Sequence, residues 1–312
     1  MRKKFGMIQD IPRYQEWKDI QIPKTGWSMH RKFRVTDKNG DAYILRVSDA
    51  SCFEEKKKEY ENIVRLSKIG IVSPKPIEFG VCNGGNSVYM LLTWMDGVAV
   101  EDVIRNLDSG LQYDLGVKAG RLLRTMHGHS GIDAETDWGC AYGKTLDEII
   151  AAYHQTGIVI PREKAILEYI GQNRHLLRGR EQVIRHGDFH IGNLIITPDN
   201  NIAVIDFDRC SPGDPWEEFG GIVWAARISK SFAKGQVDGY FNNQALDTFF
   251  RLLALYIGEY ALEHVVRSVN HHANTRKAKD ILHNTDFMCA MFDGFKTYIP
   301  NWYANRKAIE HE

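Results

Sequence analysis

The stretch HGDFHIGN at residues 186–193, together with IDFD at residues 205–208, decides how this chain folds. It supplies a carboxylate at Asp188, an amide oxygen at Asn193 and a second carboxylate at Asp206. Between the last two, short apolar segments flank turn-forming proline, aspartate and asparagine residues, which predicts a β-hairpin. Because a hairpin folds back on itself, we expect Asn193 and Asp206 to lie side by side.

The chemistry of these three side chains points to a magnesium ion and a phosphate. Asn193 and Asp206 offer hard oxygen ligands, which suit Mg²⁺, an ion that keeps several waters and is shared with substrate phosphates. The spacing from Asp188 to Asn193 equals the D-x-x-x-x-N spacing of the kinase catalytic loop, with Asp206 in the place of the Asp of DFG. We therefore predict that Asp188 orients an acceptor hydroxyl and accepts its proton, while Asn193 and Asp206 hold Mg²⁺.

The size and composition of the chain indicate an ordinary soluble protein with two lobes. At 312 residues it is long for a single core, and 43% of it is hydrophobic and 26% charged. It has no apolar run near the roughly 20 residues of a membrane span and no apolar secretory signal. Five scattered cysteines without a C-x-x-C pair favour reduced thiols over a disulfide framework or a zinc knuckle. We predict a cytoplasmic protein without a membrane partner.

The charge of the chain is balanced overall but not along its length. The net charge is zero, which argues against a nucleic-acid partner. Residues 1–92 contain 17 Lys and Arg against 11 Asp and Glu, and the remainder contains 23 against 29. A basic first part suits a polyphosphate and an acidic second part suits a cationic molecule, although a chance imbalance of surface charge is the alternative.

The patterning of the chain changes near residue 95. Before it, strands are predicted at 31–36, 42–47, 76–81 and 87–93, with a hairpin turn at Asn39-Gly40 and a helix over 52–69. After it, helices are predicted at 98–107, 112–127, 145–156, 161–178, 216–230, 245–268 and 276–297, with a strand at 183–185. The expected fold class is α+β, a protein-kinase-like two-lobe fold. It has a small antiparallel-sheet nucleotide-binding N-lobe at 1–94 and a larger, mostly helical C-lobe at 95–312 that carries the catalytic loop and the acceptor pocket.

The first lobe offers candidates for binding a nucleotide. Arg46 lies on the predicted third strand, where a cation should grip the non-transferred phosphates, and Glu59 on the next helix is its candidate partner. Arginine can make two parallel hydrogen bonds to phosphate, although its geometry differs from that of lysine. The stretch 24–28, which includes Ser28, offers backbone amides that could cover phosphates, or it is an ordinary turn. A hinge at 92–97 would leave backbone groups free for adenine.

The motifs HGDFHIGN, AVIDFD and GDPWEEF, with LLRTMH at 122–127 upstream, resemble the aminoglycoside phosphotransferase and choline kinase-like superfamily. The resemblance extends from about Pro23 to about Tyr240. It implies that Asp188 is the catalytic base and that Asn193 and Asp206 are the magnesium ligands. It also implies that Glu59 braces Arg46 and that the backbones of Thr93 and Met95 contact adenine. The chain departs from the protein-kinase pattern in having Arg46 where lysine is usual and Asp208 where glycine follows the Asp-Phe pair.

Several residues allow more than one interpretation. His186 and His190 alternate with Asp188, so H-x-D-x-H is also compatible with zinc and a hydrolase; otherwise His186 is structural and His190 shapes the loop. Asp208 and Glu217 are candidates for lining an acceptor pocket that attracts substrate ammonium groups, whereas Glu218 is expected to be structural. The remaining aromatic residues at helical spacing are expected in the core: Trp216, Trp224, Phe249, Phe250, Tyr256 and Tyr260.

These observations predict a kinase that uses Mg²⁺ and ATP (or GTP) to phosphorylate a hydroxyl of a small molecule. An aminoglycoside-like aminosugar antibiotic is the favoured acceptor, which would make the chain an antibiotic-resistance enzyme. Macrolides, choline, homoserine and sugars are alternatives, and a non-catalytic nucleotide-binding pseudokinase is an alternative of another class. The expected partner is a small, cationic hydroxyl acceptor, and the chain is expected to be a monomer or a homodimer.

Overall fold

The computed structural model describes residues 6–23, 31–129, 131–132, 134–271 and 275–304, with the backbone alone for 270, 271 and 275–280. By its internal contacts the chain divides into two units. The sheet unit consists of Met1–Ala99 and Asn193–Cys210, and the helical unit of Val100–Gly192 and Ser211–Glu312. The sequence-based boundary at residue 94 differs from this division, which lies at residue 99 and assigns the predicted hairpin to the first unit.

The described strands and helices follow one another in this order. The strands are β1 (Trp17–Gln21), β2 (Arg31–Asp37), β3 (Ala42–Asp49), β4 (Pro76–Cys82), β5 (Ser87–Thr93), β6 (Val98–Ala99), β7 (Val183–Arg185), β8 (Leu194–Ile196), β9 (Ile202–Val204) and β10 (Ser211–Gly213). The helices are α1 (Phe53–Leu66), α2 (Val100–Val103), α3 (Ser109–Gly128), α4 (Trp138–Gln155), α5 (Glu163–Asn173), α6 (Ile222–Ile228), α7 (Lys230–Phe241), α8 (Asp247–His271), α9 (Thr275–Met291) and α10 (Asn301–Ala304).

The main sheet of the sheet unit is antiparallel, with strand order β1-β2-β3-β5-β4. Side chains of β2 alternate between buried and partly exposed, as a strand with one face on a core requires. Phe33, Val35 and Leu45 enter that core. The hairpin register pairs Lys32 with Arg46. Because directly opposed residues share a face of the sheet, these two cations lie side by side on the face opposite Phe33 and Val35.

A second, smaller sheet leads into the IDFD stretch. In it β8 pairs with β6 and β9, and Leu194 lies opposite Val204. The N–H of Ile205 donates to the carbonyl of Asn193 at 3.0 Å, so the predicted hairpin is present and Asp206 is the residue that follows this contact. The N–H of Val204 donates to the carbonyl of Val72, also at 3.0 Å, which ties β9 to the segment after α1.

Two helices of the helical unit, α3 and α7, approach each other backbone to backbone. Each has glycines four residues apart on the contact face, Gly116 and Gly120 in α3 and Gly235 and Gly239 in α7. A Cβ atom on Gly120 would lie 2.1 Å from the carbonyl oxygen of Gln236, and one on Gly239 would lie 2.2 Å from that of Val117. A side chain at these positions would hold the helices apart.

The predicted fold class is confirmed, and several predicted elements need correction. Residues 98–99, predicted as helix, form β6 because they pair with β8. The helix predicted at 216–230 is divided into a 3-10 turn at Glu217–Gly221 and α6. Helix α7 was not predicted, since its glycines and polar residues make a weak helical pattern.

The aromatic residues predicted for the core divide into three groups. Phe249, Phe250 and Tyr256 are buried, and Trp216 and Tyr260 are partly buried. Trp224 is 49% exposed, so its predicted core position is wrong.

Among the described residues, none of the helices combines the length and the apolar character that crossing a membrane requires.

Replacing Gly120 by alanine tests the close packing of α3 and α7. Alanine is the better helix former by about 1 kcal/mol, but overpacking a backbone contact costs about 1–3 kcal/mol. We expect Gly120→Ala to lower the free energy of unfolding in urea denaturation. Gly171→Ala is the matched control, because Gly171 lies in α5 with no atom within 4 Å of an added Cβ; it should be neutral or stabilising. Equal effects of the two changes would contradict the packing argument.

Candidate active site

Arg46 lies at the centre of a cluster of charged side chains in the sheet unit. Its Nη1 atom is 2.8 Å from Oε1 of Glu59, the helix partner expected from the sequence. Nη2 is 3.1 Å from Oδ2 of Asp208, and Nη1 is 3.6 Å from Oδ1 of Asp206. One arginine thus joins strand β3, helix α1 and the segment after β9.

Two lysines complete this cluster. Lys56 is buried on the first turns of α1 and its Nζ is 2.9 Å from Oε2 of Glu59, so that glutamate is shared between Lys56 and Arg46. Nζ of Lys32 is 3.0 and 3.2 Å from the two carboxylate oxygens of Asp206. The buried and partly buried members of the cluster are three cations and three carboxylates, a balance that such charges require, and the exposed Glu55 adds a further carboxylate 3.1 Å from Nζ of Lys56.

Lys32 was not predicted as a site residue, although the sequence contains a signal for it. The Asn39-Gly40 turn and the two strands around it were predicted, and counting outward from that turn pairs Lys32 with Arg46. A lysine beside the candidate phosphate-binding arginine was therefore readable from the hairpin alone. What the hairpin could not indicate is that Lys32 contacts Asp206, because that contact spans 174 positions of the chain.

Asp206 has an uncommon backbone conformation, with φ at +69°. Residues other than glycine adopt this left-handed region at a cost of roughly 1–3 kcal/mol, and such positions concentrate at functional sites. Here it occurs directly after β9, where the chain leaves the strand and the carboxylate meets Lys32 and Arg46.

The neighbours of Asp206 and Asp208 shift their proton affinities in opposite directions. Burial, together with the hydrogen bond to Asp208 and the charge of Asp208, raises the pKa of Asp206. Burial acts the same way on Asp208, but the Arg46 guanidinium and the bond with Asp206 outweigh it and hold the pKa of Asp208 well below its usual range. The carboxylates in turn raise the pKa of the Arg46 guanidinium, against the effect of its burial. Asp208 is thus a fixed anion beside a fixed cation.

The oxygens of this region fit a magnesium ion. Asp206 is adjacent in sequence to Ile205, whose N–H bonds the carbonyl of the predicted ligand Asn193, and Asp208 adds a second carboxylate two residues on. Mg²⁺ takes few protein ligands and fills its remaining positions with water and phosphate. In the described part of the chain, no group of three or more His, Cys, Asp or Glu side chains is arranged to hold a metal. Two carboxylates and an amide suit Mg²⁺ better than an ion that needs a full protein cage.

The other residues predicted to contact a nucleotide lie at or just after the end of β5 or outside the described residues. The N–H of Thr93 donates to the carbonyl of Lys75, and that of Trp94 donates to the carbonyl of Ala42, both at 2.9 Å. These contacts fix the segment that leads to Met95. That the backbones of Thr93 and Met95 contact adenine stays a prediction. Ser28 and the rest of 24–28 lie outside the described residues.

In the helical unit, the loop that carries Asp188 is held by a buried carboxylate. Glu218 accepts hydrogen bonds from the N–H groups of His186 at 2.6 Å, Gly187 at 2.9 Å and Phe189 at 3.3 Å. The N–H of Asp188 itself donates to Nδ1 of the fully buried His186 at 3.2 Å. The structural roles expected for Glu218 and His186 agree with these contacts. Four successive N–H groups are thereby fixed, while the side chain of Asp188 stays 30% exposed.

Electrostatic interactions keep Glu218 ionised. Burial alone would raise the pKa of its carboxyl group, but the interaction with His127 and the electrostatic influence of His186 and Arg185 lower that pKa below its ordinary value. The three backbone N–H bonds that this carboxylate accepts also favour its charged form.

Acidic side chains of the stretch after β10 form ion pairs with arginines. Glu217, a candidate for binding substrate ammonium groups, contacts Nη1 of Arg185. Asp214 is fully buried and accepts hydrogen bonds from Arg180 at 2.7 and 2.9 Å and from the Tyr256 hydroxyl at 2.7 Å. Of the predicted site residues, the structure therefore brings together Arg46, Glu59, Asp206 and Asp208, with Asn193 adjoining. Asp188 and Glu217 belong to the helical unit.

The sequence matches a known family over most of its length, and this match identifies the class of protein. The sequence family described as the phosphotransferase enzyme family matches residues 19–252. The chain belongs to this family, which confirms the resemblance and the enzyme class expected from the motifs. No curated protein matches the chain by sequence.

Solved structures with the same fold act on diverse molecules. An amicoumacin kinase in complex with AMP-PNP and Ca²⁺ is 16% identical, with a TM-score of 0.60 over 96% of this chain and 93% of that one. The ADP-bound aminoglycoside phosphotransferase APH(2'')-Ib is 17% identical, with a TM-score of 0.64 over 91% and 98%. A choline/ethanolamine kinase family protein from Mesorhizobium loti is 15% identical, with a TM-score of 0.64 over 92% and 94%. At identities this low, the likeness shows that the fold is shared and nothing beyond it.

Replacing Glu218 by glutamine tests its role as the support of the Asp188 loop. Glutamine has the same shape but presents one N–H₂ group toward N–H donors, so we expect a loss of about 2–4 kcal/mol in the free energy of unfolding at pH 7. Because the pKa of Glu218 is lowered by folding, its contribution is complete above the ordinary pKa and lost as the pH falls through the lowered value. The difference from wild type in urea denaturation should therefore shrink in acid.

Glu168→Gln is the control for this change, since Glu168 is an exposed residue of α5 paired with Lys164 at 3.7 Å. Such exposed pairs contribute about 0–1 kcal/mol. If the two glutamine variants unfold at the same urea concentration, Glu218 is not a support of the loop.

Proposed function

We propose that this chain is a Mg²⁺-dependent kinase that transfers the γ-phosphoryl group of ATP to a hydroxyl of a small molecule. The observation that carries the proposal is the charged cluster of the sheet unit. In it, Asp206 and Asp208 are held by the cations Lys32 and Arg46. Asp206 directly follows Ile205, whose N–H donates to the carbonyl of Asn193. This combination supplies oxygens for a divalent ion and cations for phosphate oxygens. Phosphoryl transfer needs both, since its catalysis depends mainly on positioning and on neutralising charge.

In this proposal the residues of the sheet unit bind the nucleotide. Asn193 and Asp206 would hold Mg²⁺, which supplies positive charge to the phosphates when bound. Arg46, kept in place by Glu59, would donate to the non-transferred phosphates. Lys32 adds a second cation on the same face of the sheet. The backbones of Thr93 and Met95 and the stretch around Ser28 keep their predicted roles toward adenine and the phosphates.

Asp188 would act on the acceptor. Its carboxylate orients the acceptor hydroxyl and takes its proton while the hydroxyl oxygen forms a bond to the γ-phosphorus. The bond from that phosphorus to the β–γ bridging oxygen breaks, and ADP leaves with the electron pair. The partial exposure of the Asp188 side chain, on a loop whose backbone is held by Glu218, suits a group that must meet a substrate.

An aminoglycoside-like aminosugar is the acceptor we favour. Solved structures with this fold include aminoglycoside phosphotransferases, one of them in complex with gentamicin, and an amicoumacin kinase. The part of the chain after residue 92 carries 29 acidic against 23 basic residues, which favours a cationic acceptor. The pairing of Glu217 with Arg185 reduces the case for Glu217 as an ammonium-binding group. Macrolides, choline, homoserine and sugars remain alternative acceptors.

Asp188→Asn is expected to abolish phosphoryl transfer while leaving nucleotide binding intact. Turnover should fall by about 10²–10⁴-fold, which is what general-base catalysis typically contributes to the rate. The measurement is ADP release with gentamicin, hygromycin B, amicoumacin, choline, homoserine or glucose as acceptor, with ATP affinity measured by calorimetry. Asp114→Asn, a change at an exposed residue of α3, is the control. Wild-type turnover in Asp188→Asn would remove the assignment, and absence of acceptor-stimulated ADP release in the wild type would favour the pseudokinase alternative.

Metal removal tests the second half of the proposal. EDTA should stop ADP release, and added Mg²⁺ should restore it. Asp206→Asn should lose the Mg²⁺-dependent part of its affinity for ATP in calorimetry, because an amide cannot replace the charge of a carboxylate ligand. Asp199→Asn, in the exposed turn between β8 and β9, should bind ATP as the wild type does. Undiminished Mg²⁺-dependent affinity in Asp206→Asn would show that this carboxylate is not a metal ligand.

A further inference from the structure

His190 contacts the proposed catalytic base and has a defined tautomer. The N–H of Gly192 donates to Nδ1 of His190 at 3.0 Å. Because Nδ1 accepts this bond, the proton of the neutral ring is on Nε2. Nε2 faces Oδ2 of Asp188 at 3.6 Å. The ring therefore directs an N–H group toward the carboxylate that is proposed to take the proton of the acceptor.

A tryptophan on α6 holds the His190 ring in this orientation. The rings of His190 and Trp224 are stacked, with centroids 5.0 Å apart and an angle of 4° between their planes. The indole N–H of Trp224 donates to Oε1 of Glu101 at 2.9 Å, so the tryptophan is itself fixed. Trp224 is 49% exposed and is therefore not a core residue. Its two contacts instead restrain the plane of the His190 imidazole.

Gly192 allows these groups to come together. A Cβ atom on Gly192 would lie 2.8 Å from Oε2 of Glu101 and 2.9 Å from Cε1 of His190. A side chain here would make Glu101 or His190 shift, and the N–H of Gly192 is also the donor that fixes the tautomer of His190. A continuous series of contacts therefore leads to Asp188. It runs from Glu101 through Trp224 to His190, and Gly192 contacts His190 from the side of Nδ1.

We propose that His190 is a positioning residue for Asp188, an inference that rests on the proposed function. Its Nε2–H group directs Oδ2 of Asp188 and so sets the orientation of the carboxylate that is to accept the proton of the acceptor hydroxyl. The separation of 3.6 Å is longer than a hydrogen bond, and contacts of a general base commonly tighten when the acceptor binds. Trp224 and Glu101 set the plane of the ring, and Gly192 sets which nitrogen carries the proton.

Two substitutions at His190 separate hydrogen-bond donation from ring stacking. His190→Phe keeps a ring that can stack on Trp224 but has no N–H, whereas His190→Gln keeps an N–H donor at about the reach of Nε2 but cannot stack. We expect kcat to fall by about 10–100-fold in His190→Phe, with little change in the KM for ATP, and to stay within about threefold of wild type in His190→Gln, since an orienting hydrogen bond acts in the transition state. Turnover is measured with the most active acceptor of the panel named above, or as basal ADP release if none stimulates it. A phenylalanine variant as active as the glutamine variant would overturn the inference.

A double-mutant cycle shows whether His190 acts through Asp188. In the Asp188→Asn background, His190→Phe should cause no further loss of ADP release, because the group that it positions is absent. A full additional loss would overturn the inference, since His190 would then act independently. Should His190→Phe fail to fold, His190→Asn replaces it: asparagine is one methylene shorter than glutamine, does not reach Asp188, and should lose activity that glutamine retains. Loss of turnover in Asp188→Asn with full activity in every His190 variant would refute the positioning role and leave the proposed function standing.

Discussion

The sheet unit depends on the balance of charge around Arg46. Moving a charged group out of water costs several kcal/mol, and only close partners of opposite sign offset that cost. Glu59 is shared by Arg46 and Lys56, and Asp206 by Arg46 and Lys32. The cluster therefore ties β2, β3, α1 and the segment after β9 to one another. The side chains that would bind metal and phosphate are the same ones that hold these elements together, so binding and folding of this unit cannot be altered independently.

The helical unit uses a carboxylate in a different way. In the sheet unit the carboxylates pair with cationic side chains, whereas Glu218 accepts hydrogen bonds from backbone N–H groups on either side of Asp188. When a loop is fixed through its backbone, a side chain on it can stay accessible and still have a defined direction. The stacked pair of His190 and Trp224 adds a second restraint from α6, this time on the side-chain side. The orientation of Asp188 is thus restrained both through the backbone of its loop and through Oδ2 of its side chain.

Local patterns of the sequence predicted much of this arrangement. The Asn-Gly turn specified the β2–β3 hairpin, and the turn-forming residues between two apolar segments specified β8 and β9, whose pairing brings Asn193 close to Asp206. Helix α7 was missed because glycines at 235 and 239 lower helix propensity, although their spacing of four, matched by Gly116 and Gly120 in α3, is a recognisable packing signal. The partners of Glu218 and the exposure of Trp224 were not readable, because both depend on contacts between segments that are distant in sequence.

The two departures from the protein-kinase pattern explain each other. Arg46 stands where lysine is usual, Asp208 stands where glycine is usual, and the structure places Nη2 of the first 3.1 Å from Oδ2 of the second. The planar guanidinium carries its charge on two nitrogens, so Nη1 can donate to Glu59 while Nη2 forms an ion pair with Asp208, which the single ammonium of lysine does less well. Conversely, the partly buried carboxylate of Asp208 needs a nearby cation, and the guanidinium of Arg46 reaches it as well as Glu59. An arginine on β3 therefore makes an acid at position 208 tolerable, and that acid in turn keeps the segment after Asp206 fixed where a glycine would leave it free to move.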